Sequence, residues 1–503
     1  MHSVVPRNVL SNWSGFVFGA VVSFFLSPFI VHHLGNVGYG VWSLVTSLTG
    51  YLGLLDLGVR GAVTRYVARF HTQNSREGVR QVVSSALFIF LCASTLAVLA
   101  SFAVALFGVT HFQVPPEYRR VSQGVLVIAG MNVAVSLVSG VFGGVVAGLQ
   151  RFDIANAIEI ASTGLRSLLI VLCLRTGYGL TTLALLQFGF SVFSGIANAT
   201  MAFRLCPWLA VNLRHADKER LRLIFSFSAY AFLLQLSVYL VYYTDSLVIG
   251  IYLPVSAVTF FAIAGNLMNY ARAPIASISI ILTPLASSIE AREDAEHLKD
   301  VSLLAARYCT AVMLPIAVTF LVRGQSFIGL WMGREYASLS SEVLSVLTLA
   351  WMFSAGNQAL SGIMMGISRH KMLVPVALAE ASLNLVLSIV LVKRIGVVGV
   401  AWGTALPSLA VHAMFWPIYV RNVLKISVSR YIYSTWVQNA IAGVPFLLGS
   451  YLVERFWPAP NLSTYFAQVV TVLPLSLITA WFFVLDKSDR RKFRQKLIRR
   501  AGA

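Results

Sequence analysis

Charged residues are scarce in this chain. Of its 503 residues, 11% are charged and 57% are hydrophobic. A soluble globular protein carries roughly 25% charged residues, so this chain has too few polar groups to cover a surface in water. The composition excludes a soluble globular domain and predicts an integral membrane protein.

Patterns typical of metal sites and disulfide frameworks are also lacking. The four cysteines lie far apart, in or beside apolar runs: Cys92, Cys173, Cys206 and Cys309. His32 and His33 form the only histidine pair, and adjacent side chains point in different directions. Closely spaced ligands or paired cysteines are what such sites need. We therefore expect no metal and no cofactor, and we interpret the cysteines as small core residues.

Motifs for catalysis and nucleotide binding are absent as well. No phosphate-binding glycine loop is present, and no nucleophile–base arrangement is evident. The loops predicted outside the membrane offer only Glu117, Glu335 and Glu454 as carboxylates. This argues against the chain being a membrane enzyme that joins or polymerises glycans. The net charge of +19 comes without a basic groove interleaved with aromatics, so no nucleic-acid partner is expected.

Long apolar runs are abundant instead. A spanning helix needs roughly 20 apolar residues, and fourteen runs qualify: 9–31, 38–58, 81–109, 121–149, 154–174, 180–203, 221–252, 257–289, 301–322, 342–367, 372–392, 396–420, 432–455 and 463–485. The sequence predicts an all-α polytopic membrane protein of about fourteen transmembrane helices. The longest outside loop is expected near 323–341, where Phe327, Trp331 and Tyr336 suit an interfacial segment.

The basic residues predict an orientation. Most of the 38 lysines and arginines fall on one side when both termini are placed in the cytoplasm, as the positive-inside rule requires. The strongest cluster is the basic tail at 487–503, which would lie near anionic lipid head groups. We therefore predict a multi-pass protein of the cytoplasmic (inner) membrane with both termini cytoplasmic.

A sequence motif recurs along the chain. Gly144-x-x-x-Gly148-x-x-Arg151 reappears as Gly362-x-x-x-Gly366-x-x-Arg369, and each copy closes an apolar run. The repeat predicts an N-lobe at 1–215 and a C-lobe at 216–428, six helices each, related by a pseudo-two-fold axis along the membrane normal. Helices 13 and 14 would occupy 429–486, before the cytoplasmic tail. Paired lobes around a central site permit transport by alternating access.

Several polar residues lie inside or near the ends of the predicted spans. An arginine at mid-membrane costs about 2.5–3.5 kcal/mol on insertion scales and usually faces a cavity or a partner. We interpret these residues as lining a wet cavity, with the arginines binding an anionic group and the others acting as polar or coupling residues; internal ion pairing is the alternative. Asp56 is expected to cap the turn leading to Arg60, near the cytoplasmic end of the second span. The candidates are Arg166, Arg272, Glu159, Asp245, Glu380 and Asn384.

The opening of the chain resembles a known transporter family. Asn12 to Pro28, His33-Leu34-Gly35, Gly38-Tyr39-Gly40, Tyr51, Leu54, Asp56-Leu57-Gly58 and Arg65 carry the resemblance, and Trp331-Met332-Gly333-Arg334-Glu335-Tyr336 adds to it. These segments are similar to the polysaccharide transporter family of Wzx-type oligosaccharide flippases. The same superfamily includes lipid II flippases and multidrug and toxin extrusion transporters.

The resemblance implies a transport function rather than an enzymatic one. Such proteins move a polyprenyl-diphosphate-linked oligosaccharide from the inner to the outer leaflet, for lipopolysaccharide or another surface or exported polysaccharide. Arg166 and Arg272 could then hold the diphosphate, with H⁺ or Na⁺ as a possible coupling ion and a polysaccharide polymerase as a possible partner. Two alternatives stay open: ion-coupled export of drugs or metabolites, and flipping of lipid II.

Overall fold

The computed structural model describes residues 4–212, 218–485 and 490–491. All regular structure in these ranges is helical. The helices are α1 (Val4–Leu52), α2 (Val59–Thr72), α3 (Arg76–Ala103), α4 (Pro116–Gly148), α5 (Phe152–Arg175), α6 (Leu180–Leu205), α7 (Lys218–Tyr252), α8 (Ser256–Glu290), α9 (Ala295–Trp331), α10 (Arg334–Gly366), α11 (Leu373–Ala410), α12 (Trp416–Leu424), α13 (Val428–Ile432), α14 (Gln438–Phe456) and α15 (Leu462–Thr479). Most of the predicted basic tail lies outside the described residues.

The predicted polytopic helical fold is confirmed. Each of the fourteen predicted spans falls on a helix, and within the described ranges eleven helical stretches are long and apolar enough to cross a membrane. Two of those stretches each contain two predicted spans. The backbone leaves helical geometry at Gly35 in α1 and at Ile395 and Gly396 in α11, where the sequence places the turns between spans. Gly35 and Gly396 have φ values of 68° and 64°, which glycine adopts without steric cost.

The outside loop predicted at 323–341 is wrong. Helix α9 continues to Trp331 and α10 begins at Arg334, so only a short turn separates them. Arg323 does not end the helix, because its side chain is 1% exposed and pairs with Glu454 of α14 at 2.8 Å. The aromatic residues predicted at the interface are buried as well, since Phe327, Trp331 and Tyr336 pack inside the protein.

The second spanning helix is longer than predicted and is interrupted. It runs beside α4 in the same direction: Gly38 faces Tyr118 near the start of α4, and Gly148 at its end faces Val67 of α2. Between Leu52 and Val59 the chain forms a short 3₁₀ turn, and then Leu57 and Gly58 adopt left-handed conformations. The break therefore lies about midway along α4, and the position of Asp56 near a cytoplasmic end was predicted wrongly.

Contacts divide the chain into two compact units, Met1–Thr259 and Phe260–Ala503. Helix α7 belongs to the first unit, because the ring of Tyr243 packs directly over Gly50 and Thr244 shares a hydrogen bond with Tyr51. The repeat in the sequence assigned α7 to the second lobe instead. The division at residue 215 and the two-fold axis stay predictions.

The recurring glycine motif has the same packing role in each unit. In the first unit, a Cβ on Gly148 would lie 2.9 Å from the carbonyl oxygen of Thr64, so glycine lets α2 approach α4 closely. In the second unit, a Cβ on Gly366 would lie 2.4 Å from the carbonyl oxygen of Thr283 in α8. Hydroxyls of α8 also donate to α10 carbonyls at regular spacing: Ser279 to Gln358, Thr283 to Gly362 and Ser287 to Gly366. Small residues that permit close backbone approach are typical of membrane helix interfaces.

Candidate functional site

The first unit contains two adjoining polar compartments. The larger, which we call the tyrosine compartment, has a volume of about 480 Å³ and is lined by the break between α1 and α2, by the middle of α4 and by Phe232, Gln235, Tyr239 and Tyr243 of α7. The smaller, the arginine compartment, has a volume of about 330 Å³ and lies between α2, α4, α5 and α6. Arg60 and Ser136 line both compartments, so the two adjoin at these residues.

Arg166 lines the arginine compartment, as the cavity interpretation expects. Its Nη1 donates to Oε1 of Gln187 on α6 at 2.7 Å. Glu159, two turns earlier on α5, lines the same compartment and interacts electrostatically with Arg166. Because Gln187 is neutral, it orients the guanidinium without neutralising its charge, which Glu159 offsets in part. The rest of the lining is rich in hydroxyls and glycines: Thr64, Ser136, Ser139, Gly140, Gly143, Gly144, Ser162, Ser191, Ser194 and Gly195.

Arg60 is a second cavity arginine that the sequence reasoning missed. Its side chain is 46% exposed although it lies beside the middle of α4, where its Nη2 donates to the Ser136 carbonyl oxygen at 3.1 Å. Asp56 caps the start of α2 by accepting from the Arg60 backbone N–H, and it pairs with the Arg60 side chain at 3.1 Å. The available signal was an Asp–Arg pair four residues apart within a glycine-rich apolar run, which contains Gly50, Gly53, Gly58 and Gly61.

Asp245 lies in the same unit but is buried. It is 3% exposed on α7, and it interacts electrostatically with Tyr51 of α1, whose hydroxyl shares a hydrogen bond with Thr244. A buried carboxyl within a membrane-spanning helix is a candidate coupling residue. Asp245 thus has the burial of a coupling site, whereas Arg60 is 46% exposed and Arg166 is half-buried.

The remaining candidates lie in the second unit. Glu380 accepts a hydrogen bond from Ser408 and interacts electrostatically with Arg272, which also interacts with His412. The structure therefore brings Arg272 and Glu380 together in their own cluster. Asn384 is 1% exposed and donates to Thr404 at 2.7 Å. It is packed inside the α11 hairpin, in contrast to the expectation of a lumen-facing stripe on this helix.

Comparisons with known proteins place this geometry in context. Residues 5–290 match the family model described as polysaccharide biosynthesis protein. A Haloferax volcanii protein named as a low-salt glycan biosynthesis flippase is 22% identical over 86% of this chain and 87% of its own length. A Shigella flexneri protein named as an O-antigen transporter is 19% identical over 79% of this chain and 93% of its own.

A solved structure has the same fold along almost the whole chain. The lipid II flippase MurJ, in an inward closed conformation, superposes with a TM-score of 0.71 over 95% of this chain and 98% of its own at 13% identity. At this level of identity the likeness concerns the fold. The family match covers more than half of the sequence and includes every helix that lines the cavity. The resemblance predicted from the opening motifs is thereby confirmed, and the chain belongs to the polysaccharide biosynthesis protein family.

Proposed function

We propose that the protein translocates a polyprenyl-diphosphate-linked oligosaccharide from the inner to the outer leaflet of the cytoplasmic membrane. The observation that carries the proposal is the arginine compartment: Arg166 and Arg60, both on membrane-spanning helices, line one hydroxyl-rich cavity. Membership of the polysaccharide biosynthesis protein family supports the substrate class. The proposal involves transport by alternating access and no catalytic step.

The chemistry of the compartment suits a diphosphate. A guanidinium presents a planar fork of N–H donors that matches phosphate oxygens, and charge-assisted hydrogen bonds are stronger than neutral ones. Arg60 is ion-paired with Asp56 at 3.1 Å. Arg166, in contrast, interacts electrostatically with Glu159 and hydrogen-bonds to the neutral Gln187, so it keeps more of its positive charge for a phosphate. The neighbouring hydroxyls and Asn198 can replace water around the headgroup, while the polyprenyl chain stays in the lipid.

The test is translocation of a fluorescent polyprenyl-diphosphate oligosaccharide in proteoliposomes. We expect the initial translocation rate of the Arg166→Ala protein to be at least about tenfold lower than that of the wild type, since a hydrogen bond to a charged group contributes about 1.5–3 kcal/mol. Arg166→Lys should retain part of the rate because it keeps the charge and loses the fork. Arg272→Ala tests whether the second unit supplies another phosphate ligand.

Arg175→Ala is the matched control, because Arg175 ends the same helix and is exposed. It should translocate at the wild-type rate. Wild-type rates from both Arg166→Ala and Arg272→Ala would show that these arginines are structural. Export of a cationic drug by a protein that moves no lipid-linked glycan would replace the flippase proposal with ion-coupled drug export.

The driving force is part of the same proposal. The sequence offers no nucleotide-binding loop, so we propose coupling to H⁺ or Na⁺, with Asp245 and Glu380 as the candidate acidic groups. Imposing a proton gradient and a sodium gradient in separate proteoliposome experiments distinguishes the two ions. Asp245→Asn and Glu380→Gln then identify the group involved, because the relevant variant should abolish the response to the gradient while leaving downhill flipping intact.

A further inference from the structure

The tyrosine compartment has a composition that the diphosphate does not explain. Its α7 wall is aromatic, and the polar lining comes from the break between α1 and α2 and from α4. We propose that it is a glycan subsite, which binds the first sugar residues of the substrate while the arginine compartment binds the diphosphate. This inference rests on the proposed function and adds which part of the substrate each compartment takes.

The aromatic wall has the geometry of a sugar platform. Tyr239 and Tyr243 are four residues apart and therefore share one face of α7. Their rings meet edge to face with centroids 5.2 Å apart. The Tyr243 ring packs on Gly50 and is covered there, whereas Gly53 lies beside the hydroxyl end of Tyr239. Tyr239, which lines the compartment, is therefore the candidate sugar-binding ring. A pyranose ring carries a face of C–H groups that packs on an aromatic ring, and tyrosine adds a hydroxyl that can donate or accept.

The remaining lining supplies partners for sugar hydroxyls. Gln235 is exposed to the compartment, and the Asp56 carboxylate beside it is 27% exposed. Asn132 also lines the compartment, and its buried Oδ1 has no hydrogen-bond partner among the described residues. An unsatisfied buried acceptor is costly, so a ligand hydroxyl near Asn132 would stabilise this arrangement. Amide, carboxylate and tyrosine groups around a few aromatic rings distinguish a sugar site from a purely anionic one.

The order of the compartments along α4 fits a headgroup that enters from the predicted cytoplasmic side. Asn132 and Ser136 line the tyrosine compartment, whereas Gly144 and Ala147, nearer the predicted cytoplasmic end, line the arginine compartment. From Asn132 to Gly144 the helix rises about 18 Å, so the tyrosine compartment extends further from the predicted cytoplasmic end than the arginine compartment, and the sugars would lie beyond a diphosphate bound at Arg166. Arg60, which lines both compartments, would contact the phosphate–sugar junction.

Binding of two probes to the purified full-length protein tests the assignment. The probes are polyprenyl diphosphate without sugar and polyprenyl-diphosphate N-acetylglucosamine, with Kd measured by thermophoresis. We expect the wild-type protein to bind the sugar-bearing probe about tenfold more tightly, which corresponds to about 1.4 kcal/mol. Tyr239→Ala should abolish this preference without changing the Kd for the bare diphosphate, whereas Arg166→Ala should weaken both probes equally.

Three further variants keep the test independent of the folding of one mutant. Gly53→Leu fills the compartment opposite Tyr239 and should also abolish the preference. Tyr239→Phe keeps the aromatic ring, and Tyr242→Ala changes a tyrosine of α7 that does not line the compartment. Both variants should therefore still bind the sugar-bearing probe more tightly than the bare diphosphate.

The outcomes separate this inference from the proposed function. Equal binding of the two probes by the wild-type protein, or parallel weakening of both probes by Tyr239→Ala, would overturn the glycan subsite and leave the diphosphate proposal standing. Failure of the wild-type protein to bind either probe would contradict the proposed function itself, and this inference with it.

Discussion

Two hairpins related by the internal repeat differ in whether their bridging polar residue lines a cavity. In the hairpin of α5 and α6, Arg166 reaches Gln187 across the interface and lines a cavity. The two copies of the glycine motif are 218 residues apart, which makes Asn384 the counterpart of Arg166. In the hairpin within α11, Asn384 reaches Thr404 across the interface and is 1% exposed. The same bridging geometry therefore borders water in the first unit and is enclosed by protein in the second.

The packing between the two arms explains the difference. In the α11 hairpin, a Cβ on Gly399 would lie 2.3 Å from the Leu391 carbonyl oxygen, and one on Gly403 would lie 2.3 Å from the Ser388 hydroxyl oxygen. Glycine thus brings these arms into backbone contact. In the first hairpin, Ile170 and Leu174 pack against Leu183 and Leu186, and the hydroxyls of Ser162 and Ser194 share a hydrogen bond at 2.6 Å, so the arms meet through side chains. A duplicated fold can therefore keep its topology while one copy opens a cavity and the other closes it.

Exchanging the two bridging residues should produce the largest effect. Asn384→Arg would place a guanidinium in the closed hairpin, where Glu380, one turn earlier, already interacts with Arg272, and burying a further charge costs about 3–5 kcal/mol. Arg166→Asn should cost no more than about 1 kcal/mol, because water in the cavity can replace its hydrogen bond. Thermal unfolding in detergent, followed by size-exclusion fluorescence, measures both variants. A stable Asn384→Arg protein would show that the α11 hairpin also opens to water.

Adding a single methyl group to each hairpin should have the next largest effect. Gly403→Ala forces the arms of α11 apart, and such overpacking costs about 1–3 kcal/mol. Gly189→Ala is the matched control in α6, since nothing lies within 4 Å of its added Cβ. The control should be as stable as the wild type or slightly more so, because alanine restricts the unfolded chain. Equal unfolding temperatures for the two variants would contradict the close packing of α11.

Most of the fold was predictable from the sequence, and the reason is the membrane. Every spanning segment must satisfy its backbone internally and present apolar side chains, so composition and length placed each of the fourteen predicted runs on a helix. The prediction fails where a charged residue finds its ion-pair and hydrogen-bond partners inside the protein. Arg323 indicated a loop because an unpaired arginine ends a span, yet Glu454 and Gln468 satisfy it inside the protein.

The candidate site was less predictable for a related reason. Arg166 is recognisable because it interrupts an apolar run, and this is visible in the sequence without knowing which residues contact it. Arg60 was missed because the break at Leu57 and Gly58 was interpreted as the end of a span. Tyr239 and Tyr243 carry no signal in an apolar sequence, since tyrosine is common in membrane helices. Their role depends on which face of α7 meets the glycines of α1, and only the packed structure reveals that.

Removing the hydrogen-bond acceptor of Asn384 or of Arg166 should also destabilise the protein, but by less than the changes above. Thr404→Val leaves the buried Asn384 amide without its acceptor and should lower the free energy of unfolding by about 1–2 kcal/mol. Gln187→Leu leaves Arg166 beside a cavity that water can enter, so its effect should stay below about 0.5 kcal/mol. The same thermal assay compares the two variants. A larger loss from Gln187→Leu would reverse the assignment of the open and closed hairpins.

The smallest effect concerns charge within the open hairpin. Glu159 and Arg166 line the same compartment, so the carboxylate opposes the binding of an anionic headgroup. Glu159→Gln should tighten the binding of polyprenyl diphosphate by about threefold at low salt, because each charge in a wet site contributes on the order of 1 kcal/mol or less. The gain should shrink at high salt as the interaction is screened. The corresponding residue in the closed hairpin, Ala377, carries no charge, and Ala377→Ser should leave the affinity unchanged. A gain that persists at high salt would mean that Glu159 acts by shaping the compartment, and the open hairpin would then select its ligand by fit more than by charge.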